Sequence, residues 1–165
     1  MEAGLGLWLS ALLIESRGLD IKLSGSIVGI YFGSIMIGRF LMGFIANKLG
    51  NRKLINIGLT IALMGAILFL IQGPSILYVL SILLIGLGFA PLYPSMMHET
   101  SNRYGSIQAK KVIGNQVAFA YVSSLIFVPL LGLVATHTHL EIIPIVVLFT
   151  IITLSLVIWK LNKLT

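Results

Sequence analysis

The sequence lacks cysteine altogether, and charged residues make up only 10% of its 165 positions. The absence of cysteine excludes disulfides, thiol catalysis and cysteine-based metal sites. The scarcity of charge excludes an ordinary soluble domain, in which about a quarter of the residues are charged. The HExxH, GxSxG and lysine-bearing glycine-loop motifs of common enzymes are also missing. We therefore expect neither an enzyme nor a cofactor or metal site.

Apolar residues are abundant instead. They account for 58% of the chain, and the mean hydropathy is +1.05, which is typical of an integral membrane protein. The net charge of +6 could indicate a nucleic-acid partner. However, the cations lie in short clusters between apolar runs and form no single basic face. The lipid bilayer is therefore the expected partner, and nucleic acid is not.

The lengths of the apolar runs predict six helices. A helix needs about 20 apolar residues to cross hydrocarbon about 30 Å thick, and five runs meet that length. A sixth run is shorter, and Glu2 would lie about 20 Å along its helix from Glu15, still inside the hydrocarbon. We therefore expect the first helix to be truncated. The prediction is one all-α transmembrane domain over residues 1–165, with helices at about 3–15, 25–46, 54–72, 76–98, 111–135 and 142–160.

Lysine and arginine fall mostly at one end of these helices. If the helices alternate in direction, Arg17 and Lys22 lie at one end and eight cations lie at the other. Because cytoplasmic loops are enriched in lysine and arginine, we predict that both termini are cytoplasmic in a multi-pass protein of the plasma or inner membrane. The eight cations are Lys48, Arg52, Lys53, Arg103, Lys110, Lys111, Lys160 and Lys163.

Two ionisable residues fall well inside the predicted hydrocarbon region. Arg39 lies about 13 Å from Lys48 along its helix, at a depth where a guanidinium costs roughly 3 to 10 kcal/mol unless it meets a partner or water. Its natural counter-charge is Glu2, which could also carry a proton. Three interpretations of Arg39 stay open: it snorkels towards the cytoplasm, it forms a structural pair with a neighbouring helix, or it lines a substrate or ion pathway. Glu2 could instead fray into water.

Uncharged polar and aromatic residues are also expected at this depth. Amides there either bond to a neighbouring helix or hydrogen-bond a polar ligand. Aromatic rings either pack or stack on sugars. We predict a substrate or proton pathway lined by Glu2 and Arg39 together with Trp8, Tyr31, Tyr93, Asn115, Gln116 and Tyr121.

Prolines and one acidic residue mark the fourth and fifth predicted helices. Pro91, Pro94 and Pro129 each remove a backbone donor and should kink their helix; such bends either gate a pathway or are static. Glu99 is the only acidic residue at the cation-rich end. We expect it to pair with Arg52 or Lys53, which could lock two helices together in one conformation.

Small residues recur every fourth position on the second and third helices. One stripe runs from Gly25 to Gly33, and another from Gly58 to Ala66. Such stripes allow helix backbones to approach closely in lipid. We therefore expect each of these two faces to be a helix contact.

Several stretches, taken in order, resemble one family. "GFIANKLGNRK" at residues 43–53 resembles the cytoplasmic loop motif of the major facilitator superfamily, with Gly43, Gly50, Arg52 and Lys53 in place and Asn47 where aspartate is usual. "MEAGLGLW", "IGRFLMGF", "GLGFAPLYPSMMHET" and "IGNQVAFAYVSS" are similar to helices seven, eight, ten and eleven of its fucose-permease-like branch. The likeness extends over essentially the whole chain.

This resemblance implies the C-terminal six-helix half, helices 7–12, of a transporter that moves a small polar solute by alternating access. Members of the branch often carry sugars in symport with protons. The resemblance places Glu2, Arg39 and Gln116 on the central cavity, and an N-terminal six-helix half becomes an expected partner. Two alternatives stay open: a non-transporting membrane scaffold or partner-binding subunit, and a six-helix carrier that pairs with itself.

Overall fold

The computed structural model describes residues 2–164, except for the side chains of Asn47, residues 105–107 and Leu164. Every secondary-structure element in this part of the chain is helical, and five spans are long and apolar enough to cross a membrane. The predicted all-α membrane fold is therefore confirmed. The elements are α1 (Glu2–Ala11) with a π-helical extension (Leu12–Ser16), α2 (Ile21–Leu49), α3 (Asn51–Leu70), α4 (Ser75–Phe89), α5 (Leu92–His137) and α6 (Ile142–Leu164).

Local caps fix where α2 begins and ends. The Asp20 carboxylate accepts a hydrogen bond from the Lys22 backbone N–H at 2.9 Å, so α2 begins earlier than the predicted residue 25. At its other end, Gly50 is both the C-cap of α2 and the N-cap of α3, with φ of 78°. Glycine adopts that φ without strain. The turn between α2 and α3 is consequently one residue long.

The fourth span is divided near a proline. α4 ends at Phe89 and α5 begins at Leu92, while the intervening residues Ala90 and Pro91 are buried. Pro91 is the N-cap of α5, and Pro94 lies in the first turn, where a missing N–H breaks no helical hydrogen bond. The two helical pieces form one span from Ser75 to Tyr104.

The helical segment α5 contributes to two spans. The sequence predicted a connection between two helices at residues 99–110, but the backbone of that stretch is helical. Its polar residues indicate contact with water and do not by themselves end a helix. Gln116 Nε2 donates to Thr100 Oγ1 at 2.9 Å, although 16 residues would separate them by about 24 Å in a straight helix. The chain must therefore turn back between these residues, and the next span runs from Gln108 to His137.

Contacts at the two ends of the bundle show that the spans alternate in direction. At one end, Arg17 reaches the α3 C-terminus at Phe69 and the start of α6 at Glu141. We call this the Arg17 end. At the other end, Arg52 contacts Glu99, and Arg103 contacts Asn162 near the end of α6. We call this the Arg52 end. Each loop therefore lies at the opposite end from the next.

The interface between α3 and α4 confirms one of the two small-residue predictions. A Cβ atom on Gly58 would lie 2.6 Å from the Gly88 carbonyl oxygen, and one on Gly88 would meet the backbone of Ala62. A Cβ on Gly65 would lie 2.8 Å from the backbone of Ser81. These three glycines let the two backbones touch, as small residues do in membrane bundles.

Within the described part of the chain, the corresponding face of α2 is not a helix contact. Ideal Cβ atoms at Gly25, Gly29 and Gly33 meet nothing within 4 Å in the described part of the chain. α2 instead packs on α4 through Ser34, which lies against Gly86, and through Gly38, which lies against Ala90. Spacing by four permits close approach on a face, but burial of the neighbouring side chains decides which face is used.

Candidate functional site

The two charged residues predicted inside the hydrocarbon meet in the structure. Glu2 is the first residue of α1, and Arg39 lies in the second half of α2. Arg39 Nη2 donates to both carboxylate oxygens of Glu2, at 2.8 and 2.9 Å. The side chains are 47% and 37% exposed, respectively. The pair thus joins two helices while remaining on the surface of this bundle.

Helix geometry explains why Arg39 reaches Glu2. Side chains on an α-helix point back towards its N-terminus, and the N-terminus of α2 lies at the Arg17 end. The guanidinium accordingly pairs with Glu2, and the snorkelling interpretation is wrong.

Tyr31 is buried beneath the Glu2–Arg39 pair and contacts Glu2. Its side chain is 0% exposed, and its hydroxyl donates to the backbone carbonyl of Glu2 at 3.0 Å. A residue buried to this extent contacts no solute directly. Tyr31 therefore supports the pair and does not line the predicted pathway.

A cavity of about 180 Å³ lies beside Glu2. Tyr93 and Thr150 contribute its other polar side chains, and Thr150 already donates its hydroxyl proton to the Val146 carbonyl at 2.8 Å. Its apolar wall is formed by Phe89, Leu92, Met96, Ile151 and Leu154. Tyr93 is the predicted pathway residue that shares this cavity with Glu2.

The remaining predicted pathway residues lie elsewhere. The Trp8 indole N–H donates to the Val128 carbonyl at 3.2 Å, and its ring packs on Gly132, so Trp8 joins α1 to α5. Gln116 bonds to Thr100. Asn115 and Tyr121 are exposed on the span from Gln108 to His137. The same span carries Pro129, which lies inside α5.

A second polar cluster occupies the Arg52 end. Glu99 Oε1 accepts from Arg52 Nε at 2.6 Å and from Arg103 Nε at 3.1 Å. Arg103 Nη2 also donates to Asn162 Oδ1 at 2.6 Å. The expected contact with Arg52 is therefore present. The cluster links the start of α3, the first part of α5 and the end of α6, a linkage wider than the two-helix lock that the sequence suggested.

The loop motif lies around this cluster. No atom of the described residues lies within 4 Å of where a Cβ on Gly43 would be, and Gly50 forms the one-residue turn. Lys53 is exposed beside Arg52. The side chain of Asn47 lies outside the described part of the structure.

A third cluster, at the Arg17 end, was not predicted from the sequence. The Arg17 side chain is 1% exposed. Its Nε and Nη2 atoms donate to the two Glu141 oxygens at 2.9 Å, and Nη2 also donates to the Phe69 carbonyl at 2.8 Å. The rings of Phe69 and Tyr78 lie 4.4 and 4.6 Å from its guanidinium carbon, in cation–π geometry. The charge-scarcity argument that singled out Glu99 does not apply to Glu141, because Glu15 and Asp20 lie at the same end.

The π-helical turn after α1 lets two adjacent residues reach one carboxylate. Ser16 Oγ donates to Glu141 Oε1 at 2.9 Å, and Arg17 follows directly. The hydrogen bonds from Arg17, with a smaller contribution from Ser16, hold the pKa of Glu141 below its usual value despite partial burial. Glu141 is therefore ionised at neutral pH, and the cluster is a compact, charge-balanced junction of four helices.

The comparisons with known proteins agree with this geometry. The family model described as Major Facilitator Superfamily matches residues 1–163. Neither the curated proteins nor the solved structures contain a match. The family match covers nearly the whole chain. Five helical spans in the described residues are long and apolar enough to cross a membrane, as a multi-pass transporter requires. This chain belongs to the major facilitator superfamily and is a multi-pass membrane transporter protein of that family.

Proposed function

We propose that the chain is the C-terminal half, helices 7–12, of a proton-coupled transporter of the fucose-permease-like branch. It would carry a small polar solute such as a sugar by alternating access. The observation that carries the proposal is the exposed Glu2–Arg39 pair at membrane depth. A charged pair on a lipid-facing surface would be costly, whereas the same pair in a water-filled crevice between two halves is stable.

In this proposal Glu2 carries the proton and Arg39 responds to it. An ionised Glu2 holds Arg39 through two hydrogen bonds. Protonation removes the carboxylate's charge and frees the guanidinium to bind an oxygen of the solute. Tyr93 lies on the cavity beside Glu2 and offers an aromatic face for a sugar ring. Asn115, Gln116 and Tyr121 would complete the crevice when the second half is present.

The Arg52 end would face the cytoplasm, because it carries most of the lysine and arginine residues. The Glu99 cluster there would join the first part of α5 to the start of α3 and to the end of α6. These contacts would hold while the crevice is open to the opposite side of the membrane. The proposed sites thus divide into a proton and solute site at mid-depth and a conformational contact at the Arg52 end.

Uptake into vesicles tests the proposal. Proteoliposomes carrying this chain, with or without a candidate N-terminal half, are given radiolabelled L-fucose and an inward proton gradient. We expect gradient-driven uptake only when both halves are present, and at least a tenfold loss in Glu2→Gln. Lys22→Gln, an exposed cation distant from the pair, is the control and should transport normally.

Other outcomes would reject the proposal. Robust uptake by the chain alone would support the self-pairing carrier, and the symmetric interface that it needs could then be sought. Absence of uptake across a panel of sugars in both preparations would support the scaffold. Uptake by Glu2→Gln at the normal rate would remove the proposed proton carrier.

A further inference from the structure

Tyr31 is buried, yet its hydroxyl reaches the residue that carries the proposed proton site. Tyr31 Oη donates to the Glu2 backbone carbonyl at 3.0 Å, while Arg39 holds the Glu2 carboxylate at 2.8 Å. Two residues of α2 thus hold the two ends of one residue of α1. We infer that Tyr31 is a positioning residue: it anchors the Glu2 segment of α1 to α2 so that the Glu2 carboxylate stays within reach of Arg39 throughout the transport cycle.

The segment of α2 that carries Tyr31 packs closely against α4. The backbone carbonyl of Tyr31 lies 2.8 Å from where a Cβ of Gly86 would be, and Ser34, one turn later, also packs against Gly86. Ser34 Oγ donates to the Tyr31 carbonyl at 2.7 Å. This part of α2 is therefore fixed against α4. A hydroxyl on a fixed, buried ring holds its acceptor in one place, because breaking the bond would leave the hydroxyl without a partner.

The two contacts on Glu2 differ in what could break them. The ion pair depends on the charge of Glu2 and lies at the surface, where its side chains are 47% and 37% exposed. The Tyr31 hydrogen bond is to a backbone carbonyl and does not depend on that charge. When the carboxylate gains a proton, Arg39 is released but the start of α1 stays in place. Proton loading then changes a side-chain contact without moving the helix.

This inference rests on the proposed function for its transport readout, and a distance measurement tests it independently. The chain has no cysteine, so spin labels can be placed at Ala3 on α1 and at Ile57 on α3, both exposed. Electron–electron resonance then reports the distance between the start of α1 and the body of the bundle. We expect a single narrow distribution in the otherwise unchanged chain, and a broadened one with a longer component in Tyr31→Phe.

Tyr78→Phe is the matched control. Tyr78 is also buried, and its hydroxyl accepts a hydrogen bond from the Gly73 backbone N–H at 3.1 Å, at the Arg17 end. It should lose a comparable hydrogen bond and leave the Ala3–Ile57 distribution unchanged. A distribution in Tyr31→Phe that equals that of the control would overturn the inference.

The transport readout separates positioning from general stability. In the assembled transporter, Tyr31→Phe should reduce uptake about fivefold, the effect of one lost hydrogen bond, and should change the shape of its pH profile. A structural role alone would scale uptake equally at every pH, and that result would contradict the inference. If the unmodified protein shows no proton-driven uptake, the proposed function fails, while the distance measurement still decides the role of Tyr31.

Discussion

Two of the arginine–glutamate pairs in the described part of the chain lie in opposite surroundings. Arg17 is 1% exposed and bonds to Glu141, to the Phe69 carbonyl and to two aromatic rings. Arg39 is 47% exposed and is paired with Glu2. Removing one partner of a buried pair strands a charge, whereas an exposed pair can exchange its partner for water or solute. We therefore call the Arg17–Glu141 pair the fixture, because it holds its helices in one arrangement. The Arg39–Glu2 pair, by contrast, can switch partners.

The largest expected effect tests the fixture. Arg17→Met keeps much of the side-chain length but leaves Glu141 without its cation, so we expect a loss of about 3 kcal/mol of unfolding free energy. That corresponds to a fall in Tm of roughly 6 to 12 °C. Thermal unfolding in detergent measures it.

A double variant sharpens this result. Arg17→Met/Glu141→Met removes both charges, and it should recover most of the lost stability because no buried charge remains unpaired. Lys22→Met, which removes an exposed cation from the same end, should shift Tm by at most a degree or two. If Arg17→Met behaved like Lys22→Met, the description of Arg17 as a fixture would be wrong.

A pair of glycine substitutions compares the close α3–α4 interface with the open glycine face of α2. Gly88→Ala places a Cβ 2.6 Å from the Gly58 carbonyl oxygen, which should cost about 1 to 3 kcal/mol. Gly29→Ala meets nothing within 4 Å among the described residues and should gain up to about 1 kcal/mol. Thermal unfolding of this chain alone measures both changes. Equal shifts in the two variants would contradict the packing described for α3 and α4.

Acid should weaken the fixture. The pKa of Glu141 is lowered by its hydrogen bonds from Arg17, so its ionised form is stabilised in the folded state. The resulting stability is fully present above the unfolded pKa of about 4.5. It is lost as the pH falls from that value through the folded pKa. We therefore expect Tm to fall more between pH 5 and pH 3 in the unmodified chain than in Glu141→Gln, and parallel curves would argue against the pair.

The pair that can switch was predictable from the sequence, but the fixture was not. Charges are scarce within apolar runs, so Arg39 and Glu2 had few possible partners. Arg17 lies in a polar loop where charge is ordinary. Its burial depends on a π-helical turn and on the Phe69 carbonyl and ring, and a run of apolar letters does not specify these contacts.

The all-helical membrane fold and its five long apolar spans could be predicted, because hydrocarbon thickness sets helix length. The choice of contact faces was harder. Pattern alone favoured the stripe from Gly25 to Gly33, whereas Ser34 and Gly38 make the contacts with α4. Tyr31 was expected to face solute, yet it lies on the buried side of α2. Periodicity defines possible faces, and tertiary packing selects among them.

The most direct test asks whether the face that bears the Glu2–Arg39 pair borders water. Met36 and Leu156 are both exposed, on α2 one turn from Arg39 and on α6, respectively. Each can be replaced singly by cysteine and treated in membranes with a membrane-impermeant maleimide. We expect rapid labelling of Met36→Cys and little labelling of Leu156→Cys. Equally slow labelling of both would mean that hydrocarbon surrounds the pair, and would contradict the account.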